Sequence, residues 1–277
     1  MKYLIFLIII FIIIFIIGLY CGLNTIYYTI DSELISPSIK IALITDLHSC
    51  YYGKNMHTLI EAINKENPDI IVLGGDIFDD KLSDLNTEKF LSNIAEIYPI
   101  YYVTGNHECW SGIDKFNTKM AILEKYNIQR LQGNVTKLEL NGNIISLCGI
   151  DDPDIFHVSE EDNNYKAQLQ RISERIDKST YKILLTHRPE LFEEYIQYEF
   201  NLVLSGHAHG GQWRIPGILN GLYAPNQGIF PKYAGGYYEI GNTKMIVSRG
   251  LARESTLIPR LYNPPELVIV ELKNISI

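Results

Sequence analysis

Five short apolar runs in this chain each stop at residues able to bind a metal. Ile39–Ile44 leads into Thr45-Asp46-Leu47-His48, and 69–73 leads into Gly75-Asp76-Ile77-Phe78-Asp79. The run 100–104 leads into Gly105-Asn106-His107-Glu108, 182–186 into His187-Arg188-Pro189, and 200–204 into Gly206-His207-Ala208-His209. Runs this short and this apolar read as strands buried on both faces. Between them, 55–67, 87–97 and 115–126 carry helical spacing, so the chain is expected to fold as α/β. In α/β sheets, sites gather outside the carboxyl ends of the strands. These residues, far apart in sequence, are therefore expected at one edge in space.

Beyond Gly133 the pattern changes. The segments 135–140 and 144–150 flank Asn141-Gly142-Asn143, a hairpin signal. A helix is expected over 165–176, a short one over 189–197, and strands near 244–248 and 267–272. The sequence shows no internal repeat, no low-complexity tract and no second domain.

The histidines follow the strand ends. Of seven, five (His48, His107, His187, His207 and His209) lie there, while His57 and His157 read as surface residues. In extended backbone the two rings of His207-Ala208-His209 point to one side, which suits a metal. Alone, that motif reads equally as a polar loop. The net charge is −8 with no Lys/Arg-rich run, so no nucleic-acid partner is expected. An acidic chain can still take a phosphate substrate where bound metals supply positive charge. The four cysteines form no CxxC pair, which argues against a zinc ribbon or a thioredoxin-type site.

Residues 3–23 carry no charge, and 4–17 are almost entirely Ile, Leu and Phe. A run of this length matches a hydrocarbon core of roughly 30 Å. Gly18-Leu19-Tyr20-Cys21-Gly22 offers no good cleavage site. The expectation is an uncleaved transmembrane helix over 1–23, a linker over 24–38 and one large domain over 39–277. The protein would then be a single-pass cell-membrane protein. Lys2, the sole preceding cation, would keep the N-terminus cytoplasmic and the main domain extracytoplasmic. A cleaved signal or a buried helix are the alternatives.

The ordered set Asp46-x-His48, Gly75-Asp76-x-x-Asp79, Gly105-Asn106-His107-Glu108, His187 and Gly206-His207-x-His209 resembles the calcineurin-like metallophosphoesterases. Gly210-Gly211-Gln212, Ser248-Arg249-Gly250 and Pro264-Pro265-Glu266 are similar to a membrane-anchored phosphodiesterase branch related to the UDP-diacylglucosamine hydrolases. The likeness spans about 39–272. It implies a four-layer α/β/β/α sandwich and two divalent metal ions. One would be held by Asp46, His48, Asp76 and His209, the other by Asp76, Asn106, His187 and His207. A carboxylate can bridge two cations, and mixed N/O ligation suits Mn, Fe or Zn. A metal-bridged hydroxide would attack phosphorus.

By the same resemblance His107 is a catalyst outside the ligand set, stabilising phosphoryl oxygens or protonating the leaving group, unless it only packs there. Asp79 would orient His107 or cap the next helix. Arg188 would touch phosphate or form a surface salt bridge. Glu108 is a weaker candidate, either supporting the ligands or touching the substrate, and Asp151 and Asp152 read as turn residues. Gly206 and Gly210 suit tight turns near the metals. Cys50 and Cys109, each two residues after a motif histidine, read as free thiols, with a disulfide as the alternative in an oxidising space.

The function expected is a membrane-anchored phosphodiesterase hydrolysing phosphodiester or pyrophosphate bonds, with a lipid-linked phosphate as substrate. A nucleotide or cell-wall phosphodiesterase outside the cell is the enzymatic alternative. A non-catalytic, metal-stabilised binding module is the remote one, disfavoured because every ligand and His107 are present. The stretch 213–238 reads as core and loop packing or as a lipid-accepting surface.

Overall fold

The computed structural model describes residues 2–158, 164–253 and 258–274. Helix α1 (Lys2–Gly18) precedes strands β1 (Asn24–Asp31) and β2 (Ile39–Ile44). Helix and strand then alternate: α2 (His57–Glu66), β3 (Ile70–Gly74), α3 (Leu85–Ile94), β4 (Ile100–Val103), α4 (Asn106–Trp110), α5 (Ile113–Lys125) and β5 (Gln129–Arg130). The second half runs β6 (Asn134–Leu140), β7 (Asn143–Gly149), α6 (Tyr165–Arg175), β8 (Tyr181–Leu185), α7 (Phe192–Tyr195) and β9 (Leu202–Ser205). It ends with β10 (Tyr223–Ala224), β11 (Gly228–Ile229), β12 (Gly236–Ile240), β13 (Thr243–Val247) and β14 (Glu266–Lys273).

Two six-stranded sheets result, ordered β1-β14-β2-β3-β4-β5 and β12-β13-β9-β8-β7-β6. The central strands β2, β3 and β4 are parallel, as are β7, β8 and β9. Strand alternation sorts their apolar side chains onto two faces. Ile39, Ile41 and Leu43 of β2 and Ile70 and Val72 of β3 meet Ile183, Leu185, Leu202 and Leu204 of the other sheet in a shared core. Ala42, Ile44, Ile71 and Leu73 point the other way and pack under Leu59, Ile63, Phe90, Leu91 and Leu123 of α2, α3 and α5. Leu184 and Val203 pack likewise against Leu169, Ile172, Phe192 and Tyr195 of α6 and α7. Both sheets are thus covered on both faces, which is why their strands carry continuous apolar runs. The β6–β7 hairpin turns at Asn141 and Gly142, both at positive φ (52° and 79°), as a type I′ turn requires.

The N-terminal segment departs from expectation. Helix α1 has 17 residues, about 25 Å of rise, and stops at Gly18. There the Gly18 carbonyl accepts the Tyr262 N–H at 2.6 Å, so residues 19–23 leave the helix and do not extend it. Among the described residues no helix is long and apolar enough to cross a membrane, which overturns the single-pass cell-membrane placement and the extracytoplasmic orientation drawn from it. The stretch 24–38, read as a linker, contains β1. That strand pairs with β14 in parallel from Asn24↔Glu266 to Asp31↔Lys273. Its faces alternate between covered and exposed from Ile26 to Asp31, the two-residue period of a strand at a sheet edge.

Candidate metal centre

The site is built on loops that only tertiary contacts hold in place. Asp46, His48, Asp76, His207 and His209 all adopt left-handed φ between 47° and 66°. Such backbone costs energy in non-glycine residues and persists where surrounding structure over-determines it. Here Glu108 supplies much of that determination. Fully buried, its carboxylate accepts the backbone N–H groups of Asp76 (3.0 Å), Phe78 (2.9 Å) and Gly105 (2.8 Å), tying the loop after β3 to the loop after β4. Burial and the charge on Asp76 push the Glu108 carboxyl up to about 7. Its carboxylate thus supports the site through the loops it joins.

Glycine is required where these loops touch. A Cβ on Gly105 would lie 2.2 Å from Asp76 Oδ1, and one on Gly206 would lie 2.5 Å from Asp46 Oδ2. The close approach lets each loop's amides reach the neighbouring carboxylate. The His107 N–H donates to Asp76 Oδ1 at 2.8 Å, and the His207 N–H donates to Asp46 Oδ1 at 3.0 Å. The second of these bonds joins the two sheets at their strand ends.

What remains is a ring of acceptors facing one another. Atoms of Asp46, His48, Asp76 and His209 lie within 4.8 Å of one another, and so do atoms of Asp76, His187 and His207. Asp76 belongs to both groups: its Oδ2 is 3.5 Å from His48 Nε2 and 3.2 Å from His187 Nε2. His209 Nε2 is 3.6 Å from Asp46 Oδ1, and His207 Nδ1 is 3.2 Å from His187 Nε2. Asp76 Oδ2, His48 Nε2, Asn106 Oδ1 and His209 Nδ1 are buried without a hydrogen-bond partner. Buried polar atoms are normally paired, so a cluster of orphaned acceptors calls for cations. The mix of imidazole, carboxylate and amide oxygen fits a borderline divalent ion.

Charge follows the same plan. Burial would raise the Asp76 carboxyl, yet His187 and His48 hold it well below the usual range. Burial disfavours charge on His187, but Asp76 raises that ring to about 10. His207 and His209 are lowered, first by burial and then by His187 and His48 respectively, so both stay neutral.

His107 stands at the rim, its side chain 22% exposed. Its Nδ1 is 2.7 Å from Asp80 Oδ1 and 3.5 Å from Asp79 Oδ2. Burial opposes its proton, but the bond to Asp79, the Asp76 charge and Asp80 together raise it to about 9. Asp79 divides its attention. Its Oδ2 meets His48 Nδ1 at 3.1 Å, while its Oδ1 accepts the N–H groups of Lys81 and Leu82 in the turn ahead of α3. The nearer carboxylate to His107, Asp80, adjoins the motif but was not singled out by it.

Arg188 is neither a surface salt bridge nor open to solvent. It is 3% exposed and pairs bidentately with Asp152 at 2.5 and 2.8 Å. Asp151 likewise pairs with Arg130 at 2.8 Å. Both aspartates are therefore buried ion-pair partners and not turn residues alone. Their signal in sequence was the doublet before Pro153, which named no partner. Cys109 is a buried free thiol, and Cys50 is buried where its sulfur accepts the Arg253 N–H. His57 pairs with Glu61 on an exposed face, and His157 is exposed on a short turn.

Against the ring of acceptors opens a cavity of about 610 Å³, lined by His107 and His209 together with Trp213, Leu222, Tyr223 and Ile258. Lys81 also lines it. Residues from the stretch 213–238 thus form one wall of a space beside the site.

Comparison with known proteins supports this chemistry. The model of the calcineurin-like phosphoesterase family matches residues 39–211. An uncharacterized metallophosphoesterase of Campylobacter jejuni is 33% identical over 88% of this chain, which spans 62% of that protein's length. One from Aquifex aeolicus is 30% identical over 92% of this chain and 96% of its own. The uncharacterized metallophosphoesterase YkuE of Bacillus subtilis is 28% identical over 91% and 86%. A dimetal phosphatase from Danio rerio shares the fold, with a TM-score of 0.50 at 13% identity over 78% of this chain and 88% of that one. Family match and relatives agree that this chain belongs to the calcineurin-like phosphoesterases, as a metal-dependent phosphoester hydrolase.

Proposed function

We propose that the chain hydrolyses phosphodiester or pyrophosphate bonds at a two-ion centre, with a leaving group that carries an apolar body. The observation that carries the two-ion reading is the shared Asp76, whose buried Oδ2 stands between His48 and His187, 3.5 and 3.2 Å from their Nε2 atoms. Asp46, His48, Asp76 and His209 would hold one ion, and Asp76, Asn106, His187 and His207 the other. Divalent ions at such a site supply Lewis acidity and neutralise phosphoryl charge. The rest is done by the chain itself. Asp80 and Asp79 keep a proton on His107, and Nδ1 is the atom they engage. That leaves Nε2–H to stabilise a phosphoryl oxygen or to protonate the leaving oxygen at the mouth of the cavity.

The wall of Trp213, Leu222, Tyr223 and Ile258 favours an apolar leaving group over a sugar or a free nucleotide. A lipid-linked phosphate, of the kind cleaved by UDP-diacylglucosamine hydrolases, is the natural member of that class. The test is a panel on the Mn- or Zn-loaded protein: bis(4-nitrophenyl) phosphate, 4-nitrophenyl phosphate, a lipid-linked diphosphate and a soluble dinucleotide. Diesters should turn over faster than the monoester, EDTA should abolish the rate, and the lipid-linked compound should exceed the dinucleotide. Preference for the monoester would overturn the diester reading, an EDTA-resistant rate the two-ion centre, and preference for the dinucleotide the apolar leaving group.

A further inference from the structure

We propose that Asn226 is a positioning residue that fixes His207 in the tautomer able to bind the second ion, and so couples that ligand to the hairpin walling the cavity. The inference rests on the two-ion reading above. His207 Nδ1 faces His187 Nε2 at 3.2 Å, within the group shared with Asp76. Nδ1 is therefore the atom turned toward the ion site. A neutral imidazole that offers the Nδ1 lone pair carries its proton on Nε2, and a partner for that proton sets the tautomer. The Nε2 atom lies 2.8 Å from Asn226 Oδ1.

The orientation of the Asn226 amide is itself determined. Arg188 Nη1 donates to Asn226 Oδ1 at 2.6 Å, and Asp152 holds Arg188 in place. A guanidinium only donates, so a flipped amide would set donor against donor. Arg188 Nη1 also lies 3.1 Å from His207 Nε2. Two arrangements thus compete. With Oδ1 present, Nε2–H donates to it and Nδ1 is free for a metal. Without Oδ1, the remaining neighbour of Nε2 in this network is a donor, which draws the Nε2 lone pair and moves the proton to Nδ1. That tautomer cannot ligate through Nδ1.

Asn226 sits between β10 and β11 at a φ of 59°. Tyr223 and Pro225 of the same hairpin line the cavity. Asparagine is also a common choice for left-handed turn positions, so a turn role is the competing account. Glycine separates the two, because it satisfies the turn and lacks the acceptor.

The experiment titrates Zn²⁺ into the EDTA-stripped full chain by calorimetry, for the wild type, Asn226→Gly and Asn226→Asp. The wild type should bind two equivalents. Asn226→Gly should weaken one of them by roughly 10–100-fold and leave the other unchanged. Asn226→Asp, which keeps an acceptor, should retain both. In the zinc-loaded wild type, ¹⁵N spectra should show His207 protonated at Nε2. Two unaltered equivalents in Asn226→Gly, or equal weakening in Asn226→Asp, would overturn the assignment. A wild type that binds fewer than two equivalents would overturn the two-ion reading, and this inference with it. That result is read without any variant, so the two failures are distinguishable.

Discussion

Replacing Asp80 by asparagine tests how His107 keeps its proton. Asp80 makes the shorter contact, 2.7 Å, against 3.5 Å for Asp79. Asp79 cannot simply take over, because it already serves His48 and two backbone amides. A hydrogen bond to a charged group is worth about 1.5–3 kcal/mol. The Asp80 and His107 side chains are 15% and 22% exposed, and that solvent access moves the value toward the lower end. A loss of about 1.5–2 kcal/mol corresponds to roughly 1–1.5 pKa units. His107 should therefore fall from about 9 toward about 7.5–8. Its raised pKa means that its stabilising contribution is complete below its ordinary value and is lost as pH rises through about 9. Asp80→Asn closes that window from the alkaline side. Where His107 must be protonated, the alkaline limb of kcat/KM should move down by the same amount, which is about a tenfold loss on the alkaline side of the wild-type limb. Bound cations lower the pKa in both proteins, so the difference is the quantity to read. The assays are the pH profile of bis(4-nitrophenyl) phosphate hydrolysis and an NMR titration of the His107 ring in EDTA. An alkaline limb and a titration that each shift by less than about 0.3 unit would show that Asp80 does not hold the His107 proton, since that is well below the loss of a charged partner.

Glu108→Ala strands three backbone N–H groups and should cost about 3 kcal/mol or more in urea unfolding, at about 1 kcal/mol each; a loss below about 1 kcal/mol would show that the clamp is dispensable. Gly206→Ala places a methyl 2.5 Å from Asp46 Oδ2 and 2.6 Å from the Thr45 Cβ, so Zn²⁺ affinity should fall by roughly tenfold or more while helix content is kept; unchanged affinity by calorimetry would count against Asp46 as a ligand. His187 is protonated at neutral pH in the metal-free chain, with a pKa of about 10, and must lose that proton to bind an ion. Metal uptake at pH 7 should therefore release about one proton for His187, read from calorimetry in buffers of different ionisation enthalpy, and affinity should rise as pH climbs toward 10.

Much of the fold was legible because burial on both sheet faces forces uninterrupted apolar runs, and those of β2, β3, β8 and β9 could be placed nearly to the residue. The β6–β7 hairpin was equally plain, because Asn141-Gly142 supplies the positive φ its turn needs. Strand β1 was hidden. Its two-residue alternation of Ile, Tyr and Thr is mild, and its pairing with β14 lies over two hundred residues away. Helix α1 showed the opposite failure, where composition promised a longer helix than the chain forms. The helix ends at Gly18, where its carbonyl meets Tyr262, a contact no local pattern announces. In the site, Asp80, Asn226 and the pairing of Arg188 with Asp152 have no local signature, because each acts through a side chain on another loop. Glu108 stands out in sequence for its place after His107, but its work on three amides requires the loops to be folded together.

Residue type and order along the chain fix which residues can carry the chemistry. Asp, Asn and His at the ends of apolar runs leave few other uses for so many acceptors, and β–α alternation directs strand ends to one edge. The tertiary structure decided how those acceptors are divided and oriented. Asp76 falls between His48 and His187, His207 and His209 face different groups, and the backbone of five of these residues is held in a left-handed conformation they would not adopt alone. The physical reason is distance along the chain. Periodicity and residue type act over a few residues, whereas the tautomer of His207, the proton on His107 and the cavity wall each depend on side chains brought together from separate loops only when the two sheets pack.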